Sequence, residues 1–149
     1  PAATAFVAAR APAFPRPARA NVVRAALDLI ETPDLAPLFA RDARAEVSLS
    51  GRVVVEGVER PVFGRIDRLA VADGIVRLAD FKTGRPPDEG APPPRPETAQ
   101  IALYARLLAR IYPDHAIRPM LVWTSGPVIR TLSEDEIAEA LAGLGLAAA

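Results

Sequence analysis

Asp67, Asp80 and Lys82 are the side chains of this sequence best suited to chemistry. Asp67 closes the run Gly64-Arg65-Ile66-Asp67, and Asp80 and Lys82 stand two apart within Ala79-Asp80-Phe81-Lys82-Thr83-Gly84. Two carboxylates that meet can hold a hard divalent cation such as Mg2+ or Mn2+, with water completing the shell. An ion so held acidifies a bound water and stabilises charge on a phosphodiester, while a neighbouring ammonium orients the nucleophile or binds the phosphate. This hydrolytic design needs neither histidine nor cysteine, which suits a chain with one histidine and no cysteine. Lys82 is also the single lysine beside 17 arginines. A compact ammonium and a wide guanidinium fork are not interchangeable, so a lone lysine points to a position where arginine fails.

These residues must be brought together by strands. Asp73-Gly74 is favoured for a two-residue type I′ hairpin, and it predicts strands over 62–71 and 75–82 whose paired residue numbers sum to 147. Asp67 then faces Asp80. One face of the hairpin carries Arg65, Asp67, Leu69 and Val71 against Val76, Leu78, Asp80 and Lys82, apolar at the turn end and charged at the far end. Carboxylates placed directly opposite repel by about 3 kcal/mol at an effective dielectric near 20, so something positive must compensate. A cation does so; so do diagonal ion pairs, Asp67 with Lys82 and Asp80 with Arg65.

The remaining elements frame this hairpin. Residues 1–20 mix Ala, Pro and Arg without sustained periodicity and read as a tail or linker, followed by a single domain over 21–149. Asn21 reads as the N-cap of a helix over 22–30 that Pro33 stops. Residues 45–49 and 53–55 flank Ser50-Gly51 and predict another hairpin. Six prolines between Pro86 and Pro96 predict an irregular exposed loop. A helix follows over 97–111, ended by Pro113, then a strand over 117–124 bounded by Ser125-Gly126-Pro127, a short strand over 128–132, and a last helix capped by Ser133 with acids in its first turn. A strand that follows a helical crossover is expected to run parallel to an earlier one, so the fold class is α/β, a mixed central sheet flanked by helices.

Composition excludes several classes. The 149 residues include 42 Val, Ile, Leu, Met and Phe, enough for one core. The absence of cysteine excludes disulfides, thiolate zinc sites and iron–sulfur clusters, and a reducing cytoplasm suits it. No apolar run is long enough to span a membrane. Eighteen basic and 18 acidic residues cancel, so the chain is not a strongly basic nucleic-acid binder as a whole.

Gly64 to Leu69, Ala79 to Gly84 and Gln100-Ile101-Ala102-Leu103-Tyr104, in that order, resemble the successive motifs of the PD-(D/E)xK nuclease superfamily, and more narrowly its RecB-like branch. Leu121 to Thr124, and Pro37-Leu38-Phe39 followed by Arg44 to Val47, are similar to the nuclease domain of AddA-type helicase-nuclease subunits. The resemblance spans roughly residues 22–132. It implies Asp67, Asp80 and the backbone carbonyl of Phe81 as metal ligands, with Lys82 as the catalytic lysine and Mg2+, or Mn2+, as cofactor. Gln100 and Tyr104, four apart on one helix face, match an element that lies beside the site and touches DNA or positions the lysine; Arg65 and Thr83 are further candidates for contact with DNA. Glu46 reads as an edge-strand carboxylate in preference to a further ligand. The implied partners are single strands of unwound DNA, an AddB-like subunit and upstream helicase domains, with a role in double-strand-break repair. RecB-like nucleases carry an additional ligating histidine on a preceding helix. The one histidine here, His115, falls beyond the motifs and reads as a surface residue, so the family's histidine is expected upstream of Pro1. A silent nuclease-like module that guides DNA or docks a partner is the competing reading.

Overall fold

Residue preferences at the turns determine how the sheet is laid out. In the computed structural model, which describes residues 1–125 and 128–146, Asp73 and Gly74 adopt φ of 53° and 70°, as a type I′ turn requires. They join β2 (Val58–Ala72) to β3 (Ile75–Lys82). From Ala72↔Ile75 to Arg68↔Ala79 the pairs keep the expected register. Helix α3 (Arg95–Ile111) then carries the chain over to β4 (Ala116–Trp123), which runs parallel to β3. β5 (Val128–Thr131) and β1 (Arg44–Val55) pair antiparallel at the two edges, giving one sheet in the order β1-β2-β3-β4-β5. The chain has the α/β fold expected of it, a mixed sheet with helices on both faces.

Strict alternation on β4 sorts the core into two layers. Leu121 and Trp123 join the cluster under α3 and the end of α4 (Glu134–Gly143), whereas Met120 and Val122 face Leu29, Leu35 and Leu38 on the other side. Leu29 belongs to α2 (Arg16–Glu31), and Leu35 and Leu38 to a 3-10 helix over Pro33–Phe39. Helix α4 begins with a capping box in which Ser133 Oγ accepts from the Glu136 N–H and Glu136 Oε2 accepts from the Ser133 N–H.

Two expectations fail, both for local reasons. Residues 1–20 are helical: α1 spans Ala2–Arg10, and α2 starts at Arg16 and runs through Asn21, which is no cap. Pro15 is the N-cap of α2 and Pro17 stands in its first turn, where no helical N–H is needed, and the alanines favour both helices without an apolar period. No break in secondary structure falls at residue 20. Ser50-Gly51 does not turn either. β1 is one strand through Gly51, and the turn lies at Glu56-Gly57. Gly51 serves close approach instead, since a Cβ there would sit 2.7 Å from Leu107 Cδ2 on α3. The expected bounding residues Gly126 and Pro127 lie outside the described residues.

Candidate active site

The site arises where the β2–β3 hairpin stops being regular. Ile66 and Leu69 both enter the core layer under α3, so the two-residue alternation of β2 breaks between them, at Asp67-Arg68. The ladder to β3 ends at Arg68↔Ala79. Beyond it, Asp67 does not pair with Asp80 through the backbone. Asp67 Oδ2 instead accepts the Phe81 N–H at 2.7 Å, replacing a ladder bond with one from a side chain. On the neighbouring edge strand, Glu46 sits by count opposite Asp67 with φ of 54°, a left-handed backbone inside a strand.

Asp80 and Lys82 project from the end of β3 on the α3 side, in phase with Val76 and Leu78. Lys82 Nζ lies 2.5 Å from Asp80 Oδ2, and both side chains are largely sheltered from solvent. Oδ2 is buried, and Lys82 is its close partner. Burial pushes the Asp80 carboxyl above the usual carboxylate range; Lys82 opposes that shift, and the negative charges of Asp67 and Glu97 add to it. Neither of the alternative diagonal pairs forms: Lys82 pairs along its own strand, and Arg65 pairs with Glu46, Nε to Oε2 at 2.8 Å. Arg65 leaves the expected face because Ile66 takes the core-facing position.

Helix α3 closes the site from above. Tyr104 is only 6% exposed, and its hydroxyl accepts from Gln100 Nε2 at 3.3 Å. The ring lies on Gly64, where a Cβ would come within 2.3 Å of the hydroxyl oxygen. Gly64 is thus the floor that lets α3 settle on β2 three residues before Asp67. Gln100 itself is exposed, as is Thr83 just past the end of β3. The β3 terminus is fixed by Thr124, whose N–H donates to the Lys82 carbonyl at 2.9 Å. The Phe81 ring points to the opposite layer, stacked 6.4 Å from Phe39. His115 is half-buried in the turn after α3, edge-on to Tyr112, with Nδ1 unpartnered, so it is less exposed than expected and far in the chain from the motifs.

One acidic residue escaped the sequence reading. Glu97, in the first turn of α3, has a buried Oε2 without a partner and bears on Asp80. A first-turn acid ordinarily answers the helix dipole, which hides it; its position three residues before Gln100, on the same helix face, was the available signal.

A profile of the PD-(D/E)XK nuclease superfamily matches residues 2–141. The chain belongs to that superfamily. Among solved structures it is similar to SSO0001, with TM-score 0.44 and 18% identity over 81% of this chain and 64% of that one. It is also similar to VC1899 from Vibrio cholerae, with TM-score 0.36 and 20% identity over 85% of this chain and 27% of that one. It thus spans less than two thirds of either. No relative was found among curated proteins.

Nucleases of the PD-(D/E)XK superfamily typically use divalent metal ions, and the donor set here fits one. Asp80 offers a carboxylate oxygen buried against Lys82, Asp67 a second carboxylate, and both are hard ligands. Among the described residues no group of three or more Asp, Glu, His or Cys side chains is placed to hold a metal ion by itself. Mg2+ does not require one, because it keeps several waters and binds through one or two carboxylates.

Proposed function

We propose that this chain is the nuclease domain of an AddA-type helicase-nuclease, a Mg2+-dependent exodeoxyribonuclease. In this reading it hydrolyses phosphodiester bonds in single strands unwound by upstream helicase domains, beside an AddB-like subunit, in cytoplasmic double-strand-break repair. The observation that carries the hydrolytic reading is the Asp80–Lys82 pair. A buried carboxylate oxygen 2.5 Å from the chain's single lysine and crowded by Asp67 and Glu97 is an arrangement that a further cation would relieve. Asp67, Asp80 and the Phe81 carbonyl are the groups that would hold the ion. When bound, it would supply Lewis acidity to the phosphate and a more acidic water. Lys82 then orients that water and steadies charge on the phosphate oxygens. Thr83, just past the end of β3, borders the substrate, and the Gln100–Tyr104–Gly64 contact holds α3 over the site, whereas Arg65, turned away to Glu46, takes no part.

The test is cleavage of an end-labelled single-stranded oligonucleotide by the whole chain in Mg2+ and in EDTA. Wild type should cut only with Mg2+, and Lys82→Gln should lower the rate by about 10²- to 10⁴-fold, as loss of a positioned proton-handling group does. No cutting, or cutting equal in the variant, would leave the silent docking module as the reading.

A further inference from the structure

Glu97 and Glu136 both stand at the third position of a helix, yet only Glu136 serves its own helix. In α4, Glu136 reaches back to the Ser133 N–H and closes the capping box. In α3 the N-cap is Pro94, which has no N–H to donate and no hydroxyl to reciprocate, so Glu97 is released from capping. Its Oε2 is buried without a hydrogen-bond partner, and among the described residues it joins no ion pair. What Glu97 faces follows from its place on α3. Ile101, Tyr104 and Leu108 follow it at four, seven and eleven residues, the stripe by which α3 enters the core layer over β2 and β3. Glu97 continues that stripe toward the end of β3 from which Asp80 and Lys82 project, and its negative charge is felt at Asp80.

A buried carboxylate oxygen destabilises the fold unless a donor meets it. Lys82 is not that donor, since it lies against Asp80. Asp67, Asp80 and Glu97 are not placed to hold an ion by themselves, so Glu97 is not a third direct ligand. A Mg2+ ion bound through two carboxylates keeps several waters, and each is a strongly polarised donor. We infer that Glu97 is a positioning residue of the Asp67–Asp80 site, its Oε2 accepting a hydrogen bond from a water in the shell of the cation, one step out from the ligands themselves. By taking the hydrogen-bearing side of that water, Glu97 leaves a lone pair free for the phosphate. The inference rests on the reading of Asp67 and Asp80 as ligands of a divalent cation.

The experiment is calorimetric titration of Mg2+ into the whole chain, wild type against Glu97→Gln and Glu97→Asp, with cleavage of the end-labelled single strand followed in parallel. Glu97→Gln, which keeps the shape and loses the charge, should weaken Mg2+ binding about 10- to 100-fold with unchanged stoichiometry, as loss of an outer partner of a metal site does. At saturating Mg2+ it should lower kcat and leave the KM for the oligonucleotide unchanged. Glu97→Asp keeps the charge but withdraws the oxygens by one methylene, so it should recover only part of the affinity; full recovery would mean that charge alone acts and would overturn the inference. So would an unshifted isotherm in Glu97→Gln, which would make Glu97 a structural acid of α3, or a loss of binding as complete as in Asp80→Asn, which would make it a direct ligand. In EDTA the urea midpoint of Glu97→Gln should equal or exceed that of wild type, because an unmet buried charge is removed; a midpoint well below it would mean that Glu97 holds the helix and not a water. A shifted isotherm with no cleavage by wild type would leave the inference standing and remove the nuclease reading; Mg2+-dependent cleavage with an unshifted isotherm would do the reverse.

Discussion

The two ends of the β2–β3 hairpin are built from the same two strands and do opposite things. Near the turn, Leu69 faces Leu78 and Val71 faces Val76 in an unbroken ladder, and Val76 and Leu78 are fully buried. At the far end the ladder stops, Asp67 takes a backbone N–H, and the half-buried Asp80 feels the charges of Asp67 and Glu97 with Lys82 to offset them. The apolar end stabilises the fold by desolvation. At the charged end burial and the neighbouring carboxylates both act against an ionised Asp80, and Lys82 opposes them.

The comparison breaks if the two ends respond alike to substitution. Asp80→Asn should reduce Mg2+-dependent cleavage at least about a thousandfold, since loss of metal assistance is worth several kcal/mol, while the urea midpoint stays near or above that of wild type. Leu78→Ala at the other end should cost about 2–5 kcal/mol in urea unfolding, with the cleavage rate of the folded fraction retained. Equal losses of stability at both positions would erase the distinction. Gly64→Ala, three residues beyond Asp67 on the side away from the turn, should cost about 1–3 kcal/mol, because the new methyl meets Tyr104. Combining it with Tyr104→Ala should give less than the sum of the two single effects, whereas strict additivity would mean that α3 does not rest on Gly64.

The smallest effect is the pH dependence. With the folded carboxyl of Asp80 raised above its unfolded value, the native state binds the extra proton first, so this group's penalty is fully present above the raised value and disappears as pH falls toward the ordinary carboxylate range. Without metal, wild type should therefore gain stability relative to Asp80→Asn between neutral pH and about pH 4. A constant difference across that window would show that Asp80 is not perturbed.

Much of this fold is legible in the sequence where a single residue type decides the backbone. Asp73-Gly74 sets the register of the central hairpin, Pro113 ends α3, and Ser133 with Glu136 caps α4. Legibility fails where tertiary contact overrides the local signal. Gly51 looks like a turn residue, yet it is in a strand because Leu107 needs its space, and Pro15 and Pro17 look like breakers but start a helix. At the site, motif spacing marks Asp67, Asp80 and Lys82, which the fold does bring together. It does not show the broken alternation after Ile66, which turns Arg65 away toward Glu46, nor Glu97, which only the docking of α3 carries to Asp80.

The most direct test of the central claim, that the charged end of the hairpin is built for a divalent cation, is calorimetric titration of Mg2+ into the whole chain at neutral pH, wild type against Asp80→Asn. The account predicts a saturable binding isotherm in wild type that is lost in the variant. Binding that survives the substitution unchanged would place the ion elsewhere and contradict it.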